Sequence, residues 1–335
     1  MATIESVRFQ NFKSFSPESP EVKLSNLNVL IGANNSGKSN FVDGFRLLND
    51  IPTDISACIR NLGGRNVLCA FSEQGQNIQA TTVIREEENQ LISHHIEIAI
   101  PDLGKAVVLK ESVEPEDTVL KQVFRGIYFY DSWNLFRKIG SERTDAIGDR
   151  LLSDGSNLQL VLQNNFSDQD ARARLLTYLK ILNPSFRDFF FRIVEGFLGM
   201  RIEEDGLTGP IALTQLSIGS IHFLSLVAIL LCPLSSSVII IEEPEIGLHP
   251  HLIHKVAELI VEASKRTQVI ITTHSDLLIS NIADFAGAEA ILVCERDPNV
   301  GTTLRRLDPK ELSTWLEEYG LGQLWLKGML GGTSL

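Results

Sequence analysis

The residues best suited to chemistry lie between positions 30 and 40, in the run LIGANNSGKSN. Eight of them, GANNSGKS at 32–39, have the spacing GxxxxGK(S/T) of a phosphate-binding loop. Its glycines let backbone N–H groups turn toward an anion, and the start of the following helix adds its positive end. Lys38 would reach the β and γ phosphates of a nucleotide, and Ser39 would ligate magnesium. The predicted binding residues are Gly32, Asn35, Ser36, Gly37, Lys38, Ser39 and Asn40.

A phosphate loop needs a buried strand before it and a helix after it, and the flanking residues predict both. LNVLIG at 27–32 has the continuous apolar character of a buried strand. The next residues place Phe41, Val42, Phe45 and Leu48 on one face of a helix. This setting favours a nucleotide site over the alternative, an ordinary turn rich in glycine and asparagine.

Paired carboxylates follow a second apolar run, VIIIEEPE at 238–245. The apolar part predicts a central strand, and open α/β sheets bind their ligands beyond the C-terminal ends of such strands. Glu242 is predicted to hold Mg²⁺, directly or through water, and Glu243 to orient or deprotonate an attacking water. The alternative is an acidic cap on a surface strand.

Two further motifs stand on either side of these carboxylates in the chain. LSIG at 216–219 precedes an apolar helix, so Ser217 and Gly219 would present a hydroxyl, backbone N–H groups and the helix dipole to an anion. His274 stands at the end of the predicted strand VIITT, 31 residues after Glu243. The alternatives are a serine-capped core helix and a structural histidine.

Other titratable residues permit additional readings. His249, His251 and His254 have a spacing that allows metal ligation, although no cysteine or carboxylate set completes such a site. Glu295 and Asp297 allow a nuclease site, against the simpler interpretation of a strand that leaves the sheet into a turn. We expect the simpler interpretation in both cases.

Composition limits the class of protein. The chain has 335 residues, 44% of them hydrophobic, which suffices for a large core in one elaborated domain or two lobes. A formal net charge of −12 excludes a surface that is basic all over, but leaves open a local strip made by Arg137, Lys138, Arg143 and Arg150. The four cysteines are scattered without a CxxC pair, and the N-terminus lacks the apolar run of a secretion signal, so we expect a reducing cytoplasm.

The remaining elements follow from periodicity. Period-two alternation at 66–130 predicts an antiparallel β lobe, with an alternating edge strand at 3–9. Residues 142–198 have a helical pattern, and NPSF at 183–186 offers an Asn cap followed by proline. Residues 221–241 are apolar over a membrane's span, but Pro233 divides them into a buried helix and a strand. Strands are also predicted at 268–273 and 289–294, and a capped helix at 308–320.

With these motifs in this order, the chain resembles ABC-type ATPases of the SMC/RecF/OLD-like branch, which are broadly described as AAA-family ATPases. The resemblance covers nearly the whole chain, because four other segments add to it: VRFQNFKSF at 7–15, LLSDGSNLQLVL at 151–162, EEPEIGLHP at 242–250 and GLGQLWLKGMLGG at 320–332. It implies an α/β fold, an ABC-type P-loop ATPase head with a mostly parallel central sheet, an antiparallel β lobe and a short helical insertion.

We expect a single domain over residues 1–335. Its parts would be an N-terminal phosphate-loop part at 1–65, the β lobe at 66–130, the helical insertion at 131–205 and a part at 206–335 that carries the other motifs.

The resemblance also implies roles for individual residues. ATP and Mg²⁺ would be the cofactors, with Ser39 and Glu242 on the metal and His274 sensing the γ-phosphate. Ser217 and Gly219 belong to a signature motif that closes over the nucleotide of a second copy, and residues 245–250 resemble the D-loop that runs along that copy. The implied catalytic residues are Glu243, His274 and Lys38.

This sequence departs from the family pattern at several positions. Glu242 replaces an aspartate common in ABC proteins, which leaves the metal geometry open. Ile218 and Ser220 stand where transporters favour glycine and glutamine, and His222 where relatives often have a basic residue. The Q-loop glutamine has three candidates, Gln74, Gln76 and Gln122.

The implied function is slow ATP hydrolysis by a cytoplasmic head-to-head homodimer or higher oligomer. Its expected output is control of DNA processing or antiphage defence through a separately encoded nuclease or toxin-like effector. OLD nucleases carry a TOPRIM domain, and we expect no nuclease activity in this chain. The first alternative is a RecF-like DNA-binding clamp in repair. The second is the nucleotide-binding subunit of a membrane transporter, which the NFKSF strand and the altered signature disfavour, so we expect no membrane partner.

Overall fold

The computed structural model describes most of the chain, which folds into two compact units. The described residues are 2–68, 77–86, 90–101, 105–115, 119–135, 140, 142–143, 148–232, 238–297, 299–311 and 319–331. The first unit comprises Met1–Tyr128, Ser235–Ile240 and Ser264–Leu335. The second comprises Phe129–Leu234 and Ile241–Ala263. The predicted boundaries at 65, 130 and 205 stay predictions.

The secondary structure of the described residues alternates between strands and helices. The strands are β1 Thr3–Gln10, β2 Val22–Lys23, β3 Leu27–Ile31, β4 Ile78–Arg85, β5 Leu91–Ala99, β6 Val107–Glu114, β7 Ile127–Asp131, β8 Glu142–Arg143, β9 Phe186–Val194, β10 Phe197–Glu204, β11 Ile211–Ala212, β12 Val238–Glu242, β13 Gln268–Thr272, β14 Ile291–Asp297 and β15 Gly301–Arg306. The helices are α1 Lys38–Asp50, α2 Ile55–Asn61, α3 Val119–Arg125, α4 Leu158–Asn165, α5 Gln169–Leu182, α6 Ile218–Leu231, α7 Pro250–Ser264, α8 Asp276–Ala286 and α9 Leu321–Leu326.

A six-stranded sheet has the order β15-β14-β3-β13-β12-β7, and its first four strands belong entirely to the first unit. β13 and β14 lie on either side of β3 and run parallel to it, whereas β15 pairs antiparallel with β14. All five residues of β3 and of β13 are buried, because a central parallel strand is covered on both faces. The mixed sheet with a parallel centre confirms the predicted fold class.

The antiparallel lobe is a five-stranded sheet with the order β2-β1-β4-β5-β6. Every second residue of β4 is buried, as expected of a sheet with one face on the core. β1, predicted to be an edge strand, pairs with β4 along its length and with β2 only at Ser6 and Val7. The strands up to β6 therefore match the predicted ones apart from the place of β1, but the prediction of lobe strands as far as residue 130 is wrong, because α3 follows β6 and β7 belongs to the six-stranded sheet.

The second unit contains α4 to α6, most of α7 and a small antiparallel sheet in which β10 pairs with β8, β9 and β11. The prediction of a helical segment at 142–198 is wrong beyond α5. Asn183 ends α5 instead of capping a new helix, and β9 and β10 form a hairpin. The aromatic and β-branched residues at 186–194 favour a strand, and Glu195 and Gly196, with φ of 52° and 81°, form the two-residue turn that closes it.

The apolar stretch at 221–241 divides as predicted into α6 and β12. Residues 221–231 of α6 are all buried, so this helix is covered by protein on every side. Within the described parts of the chain, no helix is long and apolar enough to cross a membrane. Cys58, Cys232 and Cys294 are buried free thiols, and Cys69 lies outside the described residues. Most of the predicted helix at 308–320 also lies outside them.

Candidate functional site

The phosphate loop joins β3 to α1 in the first unit, in the predicted strand–loop–helix setting. Asn35 and Gly37 have φ of 65° and 112°, which turn the backbone through the left-handed region. The ammonium of Lys38 folds back over the loop and donates to the carbonyls of Gly32 and Ala33 at 2.8 and 3.1 Å. The loop is therefore a closed turn with a cation held at its centre.

Two features of this loop fit a phosphate group. No side chain caps the start of α1, and its first turn contains no acidic residue, so its first N–H groups suit an external anion. Ser36 is 4% exposed, and its hydroxyl has no hydrogen-bond partner among the described residues. A buried hydroxyl without a partner is costly, and a phosphate oxygen would supply one. The residues present thus fit ATP, with Ser39 next to Lys38 as the predicted Mg²⁺ ligand.

The loop rests on Thr302, a fully buried residue of β15. Its hydroxyl donates to the carbonyl of Ser36 at 2.9 Å and lies 2.6 Å from the hydroxyl of Ser14. Asn40 of α1 donates to the same Ser14 hydroxyl at 2.7 Å. A Cβ on Gly37 would lie 2.1 Å from Thr302 Oγ1, so only glycine fits there. Thr302 belongs to no sequence motif and is 266 residues from Ser36, so sequence reasoning missed it.

Two further contacts fix the loop and its helix. The thiol of Cys294 donates to the Ser36 carbonyl at 3.4 Å, and burial raises its pKa to about 11, so it stays protonated at neutral pH. Lys13 forms an ion pair with Asp43 of α1, and Arg46 pairs with the same carboxylate at 2.6 Å. Ser14 and Lys13 both belong to the NFKSF segment, which therefore has a structural explanation: it holds the loop and α1 in place.

His274 lies at the same end of the sheet as the phosphate loop. β13 pairs with β3 so that Thr272 is opposite Leu30, and the N–H of Thr273 donates to the Leu30 carbonyl at 3.1 Å. Ser275 caps α8 by accepting from the N–H of Leu278. His274 is exposed between these two anchored residues. The structure thus brings His274 and the phosphate loop to one edge of one unit.

The C-terminal segment supports the helix that follows His274. In α9, the N–H of Gly322 donates to Ser280 Oγ at 3.1 Å. A Cβ on Gly322 would lie 2.1 Å from the carbonyl oxygen of Asp276, so α8 and α9 meet at a glycine. The GLGQLWLKG segment therefore positions α8, a role that the sequence alone did not reveal.

The paired carboxylates lie in the second unit. Glu242 ends β12, and its carbonyl accepts from the N–H and the hydroxyl of Ser132 at 3.3 and 2.8 Å. Ser132 is fully buried, so the strand end is firmly held. Glu243 has a φ of 49°, a conformation that costs a non-glycine residue about 1–3 kcal/mol and concentrates at functional sites. Sequence reasoning missed Ser132, which is 110 residues from Glu242.

The signature motif begins α6, also in the second unit. Ser217 is the N-cap, and its hydroxyl accepts from the N–H of Ser220 at 3.1 Å. Ser217 is exposed, and Ile218 beside it is 60% exposed, although the helix from Ile221 onward is buried. The N-terminus of α6 therefore faces outward.

The signature helix is attached to the predicted D-loop at 245–250. A Cβ on Gly219 would lie 2.5 Å from the carbonyl oxygen of Gly247, so the two backbones meet at a glycine. The imidazole Nδ1 of His222 lies 2.7 Å from the carbonyl oxygen of Ile246 and donates to it. Burial lowers the pKa of His222 to about 4, so this histidine is neutral near pH 7. His222 therefore holds the D-loop and is no surface cation.

The rival sites gain no support from the structure. His249 and His251 place their Nδ1 atoms 2.7 Å apart, and His254 lies beside Glu258, but the described residues contain no cluster of three groups able to hold a metal. The carboxylate of Asp297 accepts from the N–H groups of Val300 and Asn299, which lower its pKa and form the turn between β14 and β15.

The other candidates are exposed, half-buried or outside the described residues. Gln122 is an exposed residue of α3, and Arg143 an exposed residue of β8. Arg150 is half-buried. Gln74, Gln76, Arg137 and Lys138 lie outside the described residues.

Comparison with known proteins supplies the family. A family model described as "AAA domain, putative AbiEii toxin, Type IV TA system" matches residues 27–102 and 120–280, which together form most of the chain. The chain belongs to this family. The matched residues include the phosphate loop, the signature motif, the paired carboxylates and His274. No curated protein matches the chain by sequence.

Solved structures of SMC heads share the fold of this AAA-family chain. The SmcHead bound to the C-winged helix domain of ScpA has 16% identity and a TM-score of 0.65, over 92% of this chain and 99% of that one. The Pyrococcus furiosus Smc head domain with an extended coiled coil, bound to the C-terminal domain of ScpA, has 15% identity and a TM-score of 0.63, over 95% and 99%. The Thermotoga maritima SMC head domain has 16% identity and a TM-score of 0.56, over 91% and 99%.

These likenesses establish the fold class. At such low identity they show the fold alone, and the fold is that of the SMC-head, ABC-type ATPase. Together with the family match, they confirm the predicted SMC/RecF/OLD-like ATPase.

Proposed function

We propose that this ATPase is a switch that dimerises head to head around two molecules of ATP. The observation that carries the dimer is the exposed start of α6, where Ser217 and a 60% exposed Ile218 precede a fully buried helix. An exposed apolar residue beside an anion-binding helix N-terminus suits a surface that closes over a nucleotide held by another molecule. The D-loop fixed to the same helix would move with it.

The roles within the proposed site follow from the chemistry of each side chain. Lys38 would neutralise the terminal phosphates, and Ser39 and Glu242 would hold Mg²⁺, which would supply a further positive charge against the developing phosphate charge. Glu243 orients or deprotonates the attacking water, and His274 and Ser217 contact the γ-phosphate. Because the complete site needs both chains, ATP favours the dimer by mass action and hydrolysis releases it.

The proposed output is control of a separate effector. The family description names a putative AbiEii toxin and a Type IV toxin–antitoxin system, which supports a defence role without identifying the partner. An ATP-dependent dimer would expose one surface with ATP and another after hydrolysis, so a nuclease or toxin-like protein that binds only one state would be switched. Magnesium, a cytoplasmic location and slow turnover belong to the same proposal.

The first test replaces Glu243 with glutamine. Glu243→Gln should bind ATP and accumulate as a dimer, while hydrolysis falls by about 10²- to 10⁴-fold, the usual contribution of a general base. Analytical ultracentrifugation with and without ATP measures the dimer, and phosphate release measures turnover. Rapid turnover by this variant would reject the role of Glu243.

Two other variants complete the experiment. Glu262→Gln makes the same change at an exposed carboxylate of α7 that pairs with Arg174, and it should behave as the wild type. Lys38→Ala should lose ATP binding and stay monomeric. A wild-type protein that remains monomeric at saturating ATP, yet hydrolyses it at full rate, would contradict the dimer.

A further inference from the structure

The outer face of the β9–β10 hairpin combines aromatic and basic side chains. The register places four cross-strand pairs on this face: Asp188 with Glu203, Phe190 with Arg201, Arg192 with Gly199, and Val194 with Phe197. On the opposite face, Phe189, Leu198, Met200 and Ile202 are completely buried in the core, whereas Ile193, next to the turn, is 56% exposed. The mixed character of the outer face is therefore not a consequence of packing inside the unit.

The same face has an open depression. Phe190, Val194 and Phe197 are 37%, 52% and 43% exposed. Three large apolar side chains of one small sheet are thus accessible to solvent on the same face. Gly199 lies between them, and a Cβ there would meet no atom closer than 4.0 Å. The resulting depression has a volume of about 370 Å³, and it is lined by Arg192, Val194, Phe197, Leu198, Gly199 and Arg201. The space suits a planar group of small-ligand size.

The arginines of this face lack acidic partners. Arg192 and Arg201 form no ion pair with any carboxylate of the described residues, although the chain has 42 acidic and only 30 basic residues. The two carboxylates of this face already have partners: Asp188 pairs with Arg172 at 2.5 Å, and Glu203 pairs with Arg187 at 2.9 Å. The face therefore offers positive charge to an external anion.

The spacing of these groups suits a repeating ligand. Successive residues on one face of a strand are about 6.7 Å apart, so the rows of Phe190 and Phe197 lie about 13 Å apart, with Arg192 between them. Aromatic rings on a sheet stack unpaired bases, and arginine binds phosphate. An acidic peptide would also neutralise the arginines, but it brings no flat group for the two rings. A duplex hides the faces of its bases.

We propose that the outer face of the β9–β10 hairpin binds single-stranded nucleic acid, with bases on Phe190 and Phe197 and phosphates at Arg192 and Arg201. This function goes beyond the ATP switch and does not depend on it, because the hairpin belongs to the second unit and the phosphate loop to the first. It supplies the ATPase with a candidate ligand whose presence could be sensed.

The test measures fluorescence anisotropy of labelled oligothymidine and oligouridine, without ATP, over a range of salt concentrations. The wild type should bind with an affinity that falls as salt rises. The double variant Arg192→Gln/Arg201→Gln should bind at least tenfold more weakly, and its log–log salt slope should be shallower by about 1.4, because each phosphate contact in a single strand contributes about 0.7. Phe197→Ala should weaken binding about tenfold with little change in slope.

The matched control is Arg174→Gln. It removes the same charge from an exposed arginine of the second unit that pairs with Glu262 and not with a carboxylate of this face, so binding should be unchanged. ATP binding by each variant, measured separately, shows that the protein is folded. The oligonucleotide assay contains no ATP, so its outcome does not depend on whether the proposed ATP switch is correct.

Four results would overturn the proposal. They are absence of binding by the wild type at low salt, equal binding by the double variant, duplex bound as tightly as the single strand, and binding of a glutamate–phenylalanine peptide in place of the oligonucleotides. The last result would assign the face to a protein partner.

Discussion

Thr302 shows how a single residue outside every motif can control the phosphate loop. It is fully buried, and its hydroxyl donates to the carbonyl of Ser36 while Gly37 packs against its side chain. Thr302→Val keeps the shape and removes the donor, so it should lower the free energy of unfolding by about 1–3 kcal/mol. ATP binding should also weaken, because among the described residues the Ser36 carbonyl then keeps only the thiol of Cys294 as a side-chain donor. Thermal unfolding and calorimetric titration with ATP measure the two effects.

The neighbouring threonine provides the comparison for this prediction. Thr303→Val makes the same chemical change one residue along β15, on the other face of the strand, where the side chain is half-buried. It should leave ATP affinity unchanged. Equal ATP affinity in the two variants would show that the Thr302 hydroxyl does not support the loop.

The sequence predicts Lys38 and Ser39 from local spacing, but a residue such as Thr302 becomes visible only through the fold.

At the scale of elements, the signature helix and the D-loop form one connected piece. Gly219→Ala places a methyl group 2.5 Å from the Gly247 carbonyl oxygen, where backbone must move. Alanine favours a helix by about 1 kcal/mol over glycine, but overpacking costs about 1–3 kcal/mol, so the clash should prevail. We expect ATP-dependent dimerisation and hydrolysis to fall at least tenfold, while ATP binding by the phosphate loop persists. Sedimentation and phosphate release measure this.

Gly209→Ala is the control, since a Cβ there meets nothing within 4 Å. It should dimerise and turn over as the wild type does. Normal dimerisation by Gly219→Ala would show that the contact between α6 and the D-loop is unimportant for the switch.

The elements also show which parts of a fold are readable from sequence. β3, β12 and β13 were predictable because strands covered on both faces are uninterrupted apolar runs. The β9–β10 hairpin was missed because NPSF resembles a helix start locally, whereas Asn183 ends α5 and pairing with β10 determines the strand. The carboxylates and the signature motif were predicted from spacing, but their anchors, Ser132 and Gly247, lie on other segments.

At the scale of the whole molecule, two chains together form the proposed ATP site: one supplies the phosphate loop and the other the signature motif. Lys38 lies in the first unit and Ser217 in the second, so variants at the two positions damage separate halves of the proposed composite site. Lys38→Ala has a faulty phosphate loop and an intact signature. Ser217→Arg has the reverse, because arginine at the exposed N-cap blocks the helix N-terminus and costs only about 1 kcal/mol of stability. Each variant alone should be inactive.

Mixing the two variants tests whether the signature motif acts on the ATP bound by the other chain or on the ATP bound by its own chain. In a two-fold dimer of unlike variants, the phosphate loop of the Ser217→Arg chain meets the signature of the Lys38→Ala chain, which makes one complete site and one doubly damaged site. Because only a pair of unlike chains builds a complete site, the mixture should regain ATPase activity that neither variant has alone, up to about half of the wild-type value, since each mixed dimer has one complete site of two. The measurement is phosphate release against mixing ratio, which should peak at equal amounts. A mixture with no more activity than its separate components would contradict the composite site, because no pairing of chains would then bring a working phosphate loop and a working signature motif together.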